Sequence, residues 1–426
     1  MKSLTLTALD IGTNSIKAVC GTKDLRSGEV KILAKAQAPC LGVRNGEIVK
    51  PEQVGRAIEQ VVGELSKTAN FKIKEGMATI GGSHIFSVAS QGLVSVARAD
   101  QKISPEDVQR VLKAAQAVNL PANKEVLETF PQEFIIDGEA GVKDPLGLQG
   151  IRLEVKVVLA CLFSPVLENL ERAVGAAGLR LLDICVAPLA SARAILTDEQ
   201  KELGVMLLEI GAGTTSVAVF EKGDIKDFAI FPVGSANITN DIAIGFRTEI
   251  STAEKIKIDF AALSGATQES RAVFKKKSKI TKKGKTEKNE SSDSGGEPLP
   301  IPETGVEFSP KLLDNIVEAR VNQIFSETQK AMKKYLASQA LPAGIVLTGG
   351  GANLPGLVEY TRQKFKLPCR LGKIQGIADF NDSQWAACAG LLLLGFENEE
   401  EGDTQAGPSG GGFKEKFKRA LKSFLP

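Results

Sequence analysis

The sequence predicts an α/β protein of two related domains facing each other, with a small α+β unit inserted in the first. Three observations predict it. Residues 6–21 (LTALDIGTNSIKAVCG) and 205–220 (VMLLEIGAGTTSVAVF) echo each other. Each is an apolar strand, an acidic residue, Ile-Gly, a turn of small and hydroxyl residues, and a second alternating strand. That pattern describes a β-hairpin whose turn tolerates unusual backbone angles. Strands and helices alternate around both hairpins, as in α/β domains. Between them, residues 84–163 depart from the pattern and read as strand, helix, strand, strand.

The elements follow in order. Residues 1–83 form the first part of the first domain. They include a helix led by Pro51, with Val54, Ala57, Ile58, Val61, Val62 and Leu65 at helical spacing. The inserted unit, 84–163, has strands at Ile85–Val96, Val126–Ile136 and Ile151–Phe163. Its helix is marked by Ser104 as cap, Pro105 at the first helical position and Asp107 at the third. Ser164-Pro165 opens the next helix, and 164–200 completes the first domain. The second domain spans 201–397. Within it, 265–305 is lysine-dense, then Ser/Gly/acidic, then proline-punctuated, which predicts a mobile surface loop. A helix follows from Ser309-Pro310 to about Leu336. Residues 398–412 have linker composition, and 413–426 form a separate tail.

Composition excludes several classes. The chain has 426 residues and 43% hydrophobic content, enough for two large cores. No apolar run reaches the roughly 18 residues that span a bilayer, and Met1-Lys2-Ser3 begins no signal peptide. A net charge of +2 argues against nucleic-acid binding. The six cysteines (Cys20, Cys40, Cys161, Cys185, Cys369, Cys388) form no CxxC pair and read as buried thiols. His84 is the only histidine, which rules out a multi-His metal site; its expected role is structural.

Two turns carry the chemistry. Gly12-Thr13-Asn14-Ser15 and Gly211-Ala212-Gly213-Thr214-Thr215 can each present backbone amides and hydroxyls to one anion, as phosphate cradles do. A polyphosphate clamped between two hairpins gives a reason for both, and Lys17 on the first adds a cation. Asp10 and Glu209 end the two first strands, where carboxylates can hold Mg²⁺ directly or through water. Gly344–Leu357 reads as a buried strand, a turn of Gly349, Gly350, Gly351 and Ala352, and a helix from about Leu354. A bare backbone there lets a flat ring or a phosphate lie close. Glu254 and Lys257 share one face of a helix that begins near Ser251.

Together these segments resemble the superfamily of actin, the heat-shock chaperone ATPases and sugar kinases. They resemble its two phosphate hairpins (10–21 and 207–220), its ribose-contacting helix (Glu254, Lys257) and its adenosine loop (Gly349–Ala352). The match narrows to the FtsA family through 232–247, 252–257, 131–137, 144–148 and 344–351. The resemblance implies an actin-like (ribonuclease H-like) fold with ATP and Mg²⁺ in a nucleotide cleft. It implies that 84–163 is the family's small subdomain, contacting other protomers and later division proteins. It implies, too, a homopolymer that meets the tail of FtsZ through a surface after Ser235, at the division site on the cytoplasmic face of the cell membrane. Glu209, Ala212 and Ser216 depart from the Asp, Gly and acidic residue common there, so slow ATP turnover or none is expected.

The tail reads as an amphipathic helix. At about 100° per residue, Phe413, Phe417, Ala420, Leu421 and Phe424 share one arc, with Leu425 at its edge. Lys416, Lys418, Arg419 and Lys422 point elsewhere, and Lys414 lies at the boundary. Such a helix lies in a bilayer interface and is drawn to anionic lipids. Each cation contributes about 1 kcal/mol there, so five cations less Glu415 give roughly 4 kcal/mol. That is reversible for one molecule and firm for a linked array. Two rival readings remain, a small-molecule kinase of the same superfamily and a pilus-assembly scaffold. No second-substrate carboxylate supports the kinase. The terminal helix and the Ile238–Lys257 stretch favour the division protein over the pilus scaffold.

Overall fold

The computed structural model describes residues 3–263, 299–300, 307–338 and 341–403. The expected loop at 265–305, apart from 299–300, lies outside the described residues, as do 404–412 and the tail. Three sheets organise the rest. In the first lobe β1 (Ser3–Ile11), β2 (Ser15–Asp24) and β3 (Val30–Pro39) run antiparallel through tight connections. Parallel to β1 lies β4 (Glu75–Ile80), and parallel to β4 lies β9 (Arg180–Val186). The second lobe repeats this plan. Its strands β10 (Val205–Ile210), β11 (Thr215–Glu221) and β12 (Asp224–Phe231) are antiparallel. Helix α8 (Pro310–Ala331) leads toward parallel β13 (Ile345–Thr348), and α9 (Leu357–Phe365) toward β14 (Cys369–Leu371). The duplication anticipated from the two hairpins therefore extends to whole sheets.

Burial explains the strand sequences. The central strands β1 and β10 are covered on both faces and read as near-continuous apolar runs. The edge strand β3 alternates instead, burying Val30, Ala34, Ala36 and Ala38. Helix α1 (Pro51–Ala69) buries Val54, Ile58, Val61, Val62 and Leu65 along one stripe, each side chain contributing about 1.5–3 kcal/mol. It stops at Asn70, whose φ of 62° is left-handed.

The inserted unit is a separate sheet in the order β5 (Phe86–Ser95), β8 (Arg152–Phe163), β6 (Lys124–Ile136), β7 (Glu139–Val142). Only the short strand β7 was not anticipated. Helix α2 (Pro105–Ala115) packs on this sheet around a core of its own that includes Val111, Leu112, Phe134 and Leu153. Its capping box is complete: Ser104 Oγ accepts from the Asp107 amide, and Asp107 Oδ2 accepts from the Ser104 amide at 3.0 Å. The chain then returns to the first lobe through α3 (Ser164–Ala176), β9 and α4 (Ala187–Ile195). It crosses to the second lobe by α5 (Asp198–Leu203).

Three expectations need correction. The helix after the glycine turn starts at Leu357, not Leu354: Gly350–Asn353 is a 3₁₀ turn, and Gly356 is left-handed at φ 82°. Leu354 precedes a proline and is pushed out of helical geometry. The second-domain span of 201–397 includes residues that belong to the first lobe's core. Helix α10 (Ala386–Asp403) packs on α4, β1, β2 and β4, burying Cys388, Leu391, Leu392 and Phe396 there. The same helix runs through 398–403, the first residues of the expected linker. Its apolar run nucleates a helix that its glutamates readily extend.

Candidate nucleotide-binding site

The two turns are built alike. The Gly12 amide bonds the Ser15 carbonyl at 3.1 Å, and the Gly211 amide bonds the Thr214 carbonyl at 2.8 Å. They also meet. A Cβ on Gly213 would stand 2.6 Å from Thr13 Oγ1, so only glycine lets the second turn lie on the first. Thr13 is held from behind, its hydroxyl accepting from the Gly46 amide at 2.9 Å.

Beneath the turns lie the two carboxylates. Asp10 accepts from Thr79 Oγ1 at 2.9 Å and pairs with Lys17 Nζ at 3.3 Å. Burial would lower the Lys17 pKa, but Asp10, aided by Cys388 and Glu209, outweighs it and holds Lys17 above its ordinary value. Glu209 accepts from Ser191 Oγ at 2.8 Å through Oε1, while its Oε2 is buried without a partner. Burial, opposed by the Ser191 bond and reinforced by Asp10, pushes Glu209 up to about 7. Thr215 Oγ1, at the end of the second turn, is also buried and unpartnered. Orphaned polar atoms of this kind are costly unless something fills the gap.

The other two segments join this centre. Gly349, with φ 84°, lies against the Ile210 carbonyl, and Gly351 lies against the Ile210 side chain, so the glycine turn stacks on the end of β10. A Cβ on Gly350 would meet open space. The N-terminus of α6 (Ser235–Gly245) is pinned to the second turn: Ser235 and Ala236 amides bond the Gly211 and Ala212 carbonyls at 2.9 and 2.8 Å. On α7 (Ile250–Phe260), Lys257 pairs with Glu254 at 2.7 Å and reaches Thr239 Oγ1 at 2.8 Å and the Ser235 carbonyl at 3.3 Å. Thr239 in turn donates to Glu254. Glu254 and Lys257 thus face α6, one step removed from the turns.

Sequence reasoning missed Thr79, Gly46, Ser191 and Ser235, which hold the named residues in place. No local pattern marks them, because each acts across the fold. His84 has both ring nitrogens buried and unpartnered, and burial lowers its pKa to about 4, so it is neutral. Its imidazole lies against Gly82. All six cysteines are buried free thiols. Among the described residues no cluster of three or more His, Cys, Asp or Glu side chains is placed to hold a metal, and no helix is long and apolar enough to cross a membrane.

Comparison with known proteins bears directly on this arrangement. Residues 206–390 match the family model described as cell division protein FtsA, and residues 82–160 match the SHS2 domain inserted in FtsA. A cell division protein FtsA of Pseudomonas aeruginosa is 34% identical over 409 residues, covering 93% of this chain and 90% of the relative. The chain belongs to the FtsA family. FtsA of Neisseria meningitidis is 31% identical with 98% of both chains covered, and FtsA of Bacillus subtilis is 30% identical with 92% and 83% covered. Among solved structures, a PilM–PilN type IV pilus biogenesis complex aligns with TM-score 0.61 at 16% identity, covering 92% of this chain and 98% of that one. MreB5 of Spiroplasma citri bound to ADP aligns with TM-score 0.53 at 14% identity, covering 93% and 99%. These establish the actin-like fold.

Proposed function

We propose that this FtsA-family chain binds ATP with Mg²⁺ between its two hairpin turns, assembles with copies of itself, and ties FtsZ filaments to the cytoplasmic face of the membrane at the division site. The contact of Gly213 with Thr13, above two orphaned polar atoms, carries the nucleotide reading. Gly12–Ser15 and Gly211–Thr215 would cradle the phosphates, with Lys17 beside them and Gly349–Ala352 toward the base. Glu254 and Lys257 would approach the ribose. Glu209 fits a cation, with Asp10 nearby, since Glu209 Oε2 has no protein donor while both Asp10 oxygens are bonded. Bound Mg²⁺ would neutralise phosphate charge. The neighbour MreB5, solved with ADP and with AMPPNP, supports a nucleotide as the ligand of this fold.

Membership in a family of cell division proteins supports FtsZ and later division proteins as partners. The amphipathic pattern of Phe413, Phe417, Leu421, Phe424 and Leu425 against Lys414, Lys418, Arg419 and Lys422 supports the lipid anchor. Co-sedimentation with anionic vesicles, with and without ATP, FtsZ and residues 413–426, tests both. The full chain should pellet and carry FtsZ with it, and the truncated chain should stay in solution. Vesicle binding that survives the truncation would overturn the anchor; vesicle-bound protein that leaves FtsZ in the supernatant would overturn the tether. ATP turnover should be slow or absent, and many turnovers per second would contradict that.

A further inference from the structure

Strand β12 is an outer strand of the second lobe's sheet, and its backbone needs partners that another strand would normally supply. The inserted unit lies along it, bonding one of its backbone carbonyls and two of its carboxylates. Ser87 on β5 donates to Asp227 Oδ1 at 2.5 Å. The Gln132 side-chain amide, from β6, donates to the Ile225 carbonyl. Lys143, just after β7, donates to the Lys222 carbonyl and back to the Gln132 carbonyl, both at 3.2 Å, and pairs with Asp224. Asp224 also faces Lys226 at 3.5 Å, and the Lys226 carbonyl accepts from Tyr335. Donors from three parts of the inserted unit thus converge on one strand of the opposite lobe.

The unit is covalently part of the first lobe, entered from β4 and left through α3. Its grip on β12 therefore adds a link between the lobes, separate from the chain crossings at α5 and at 372–385. We infer that this link is a latch: made, it holds the two turns together, and broken, it lets the lobes part so that nucleotide enters and leaves faster. The sign follows from the structure, in which the latch is made while Gly213 rests on Thr13. The named contacts are polar, and Lys143 is 42% exposed, so each is weak alone. Beside them Ile225 and Phe228 of β12 are buried in one apolar cluster with Phe130 of β6, so opening also uncovers apolar surface. The effect on nucleotide exchange rests on the nucleotide reading; the latch itself rests on these contacts.

Paired substitutions test it in the full chain. With S87C and D227C combined, oxidation should crosslink the unit to β12, and release of a fluorescent ATP analogue should be several-fold slower than from the same protein reduced. K143E should speed release several-fold, and adding D224K should restore it. Equal release from oxidised and reduced protein, failure of a folded double-cysteine protein to crosslink, or no recovery in the charge swap would each overturn the latch. Hydrogen exchange in 224–231 reads it without nucleotide. K143E should raise exchange there, the swap should lower it again, and unchanged exchange overturns the proposal. Absence of analogue binding to the unsubstituted chain would instead count against the nucleotide reading alone.

Discussion

In the first hairpin Asp10 lies across the strand pair from Lys17; at the equivalent place in the second, Glu209 lies across from Ser216. The backbones match down to the bond that closes each turn, so the difference is purely one of side-chain chemistry. Asp10 has a cation and a hydroxyl, and both its oxygens are occupied. Glu209 has Ser191 and one vacant oxygen. A duplicated scaffold thus delivers one self-compensated carboxylate and one poised to take something up. The pairing partner, not the fold, decides which.

The largest expected effect lies at Asp10. Asp10→Asn leaves the Lys17 ammonium without its counter-charge in a mostly buried place and should cost about 3 kcal/mol of unfolding free energy in a denaturant titration. A loss below about 1 kcal/mol would mean that the pair is solvated like a surface one.

Glu128 separates burial from pairing, since it lies away from both hairpins. Burial first, then the Asp183 charge, raises it to about 8, and its Oε2 is unpartnered. A carboxyl raised in the folded state is neutral there, so it is without penalty below about pH 4.5 and loses stability as pH climbs through about 8. Glu128→Gln should therefore stabilise the protein at pH 9 by roughly 2–4 kcal/mol and change little at pH 5, as thermal melts across that range would show. Equal melting of the two proteins at pH 9 would place the carboxyl in contact with water.

Ser104→Ala removes half of a capping box in the inserted unit and should cost about 1 kcal/mol, read as hydrogen exchange confined to α2. Smallest of all, Glu209→Gln keeps an acceptor for Ser191 and should alter unfolding free energy by less than about 0.5 kcal/mol at pH 4, where the carboxyl is mostly neutral both folded and unfolded. A cost comparable to that of Asp10→Asn would erase the contrast between the hairpins.

What could be read from sequence was local or repeated. The hairpins show as alternation plus an echo, α1 as a stripe, and α2 as a cap, because each signal sits within a few residues of the structure it causes. The home of α10 was not legible. Ala386–Phe396 is apolar on nearly every side, so it fits any buried groove, and only the tertiary fold sends it back to the first lobe. Ser191, Thr79 and Lys143 were hidden for the same reason. Their partners Glu209, Asp10 and Asp224 are distant in sequence, and a hydroxyl or an ammonium carries no periodicity of its own.

If two matching turns close on one nucleotide, calorimetric titration of Mg-ATP into the full chain and into Gly213→Val will separate the two proteins. A valine there would push its Cβ into Thr13 and force the turns apart. One molecule of ATP should bind per chain, and the Gly213→Val protein, still folded, should bind at least about tenfold more weakly. Equal binding by both proteins, or none by the unsubstituted chain, would mean that the turns do not grip a nucleotide between them.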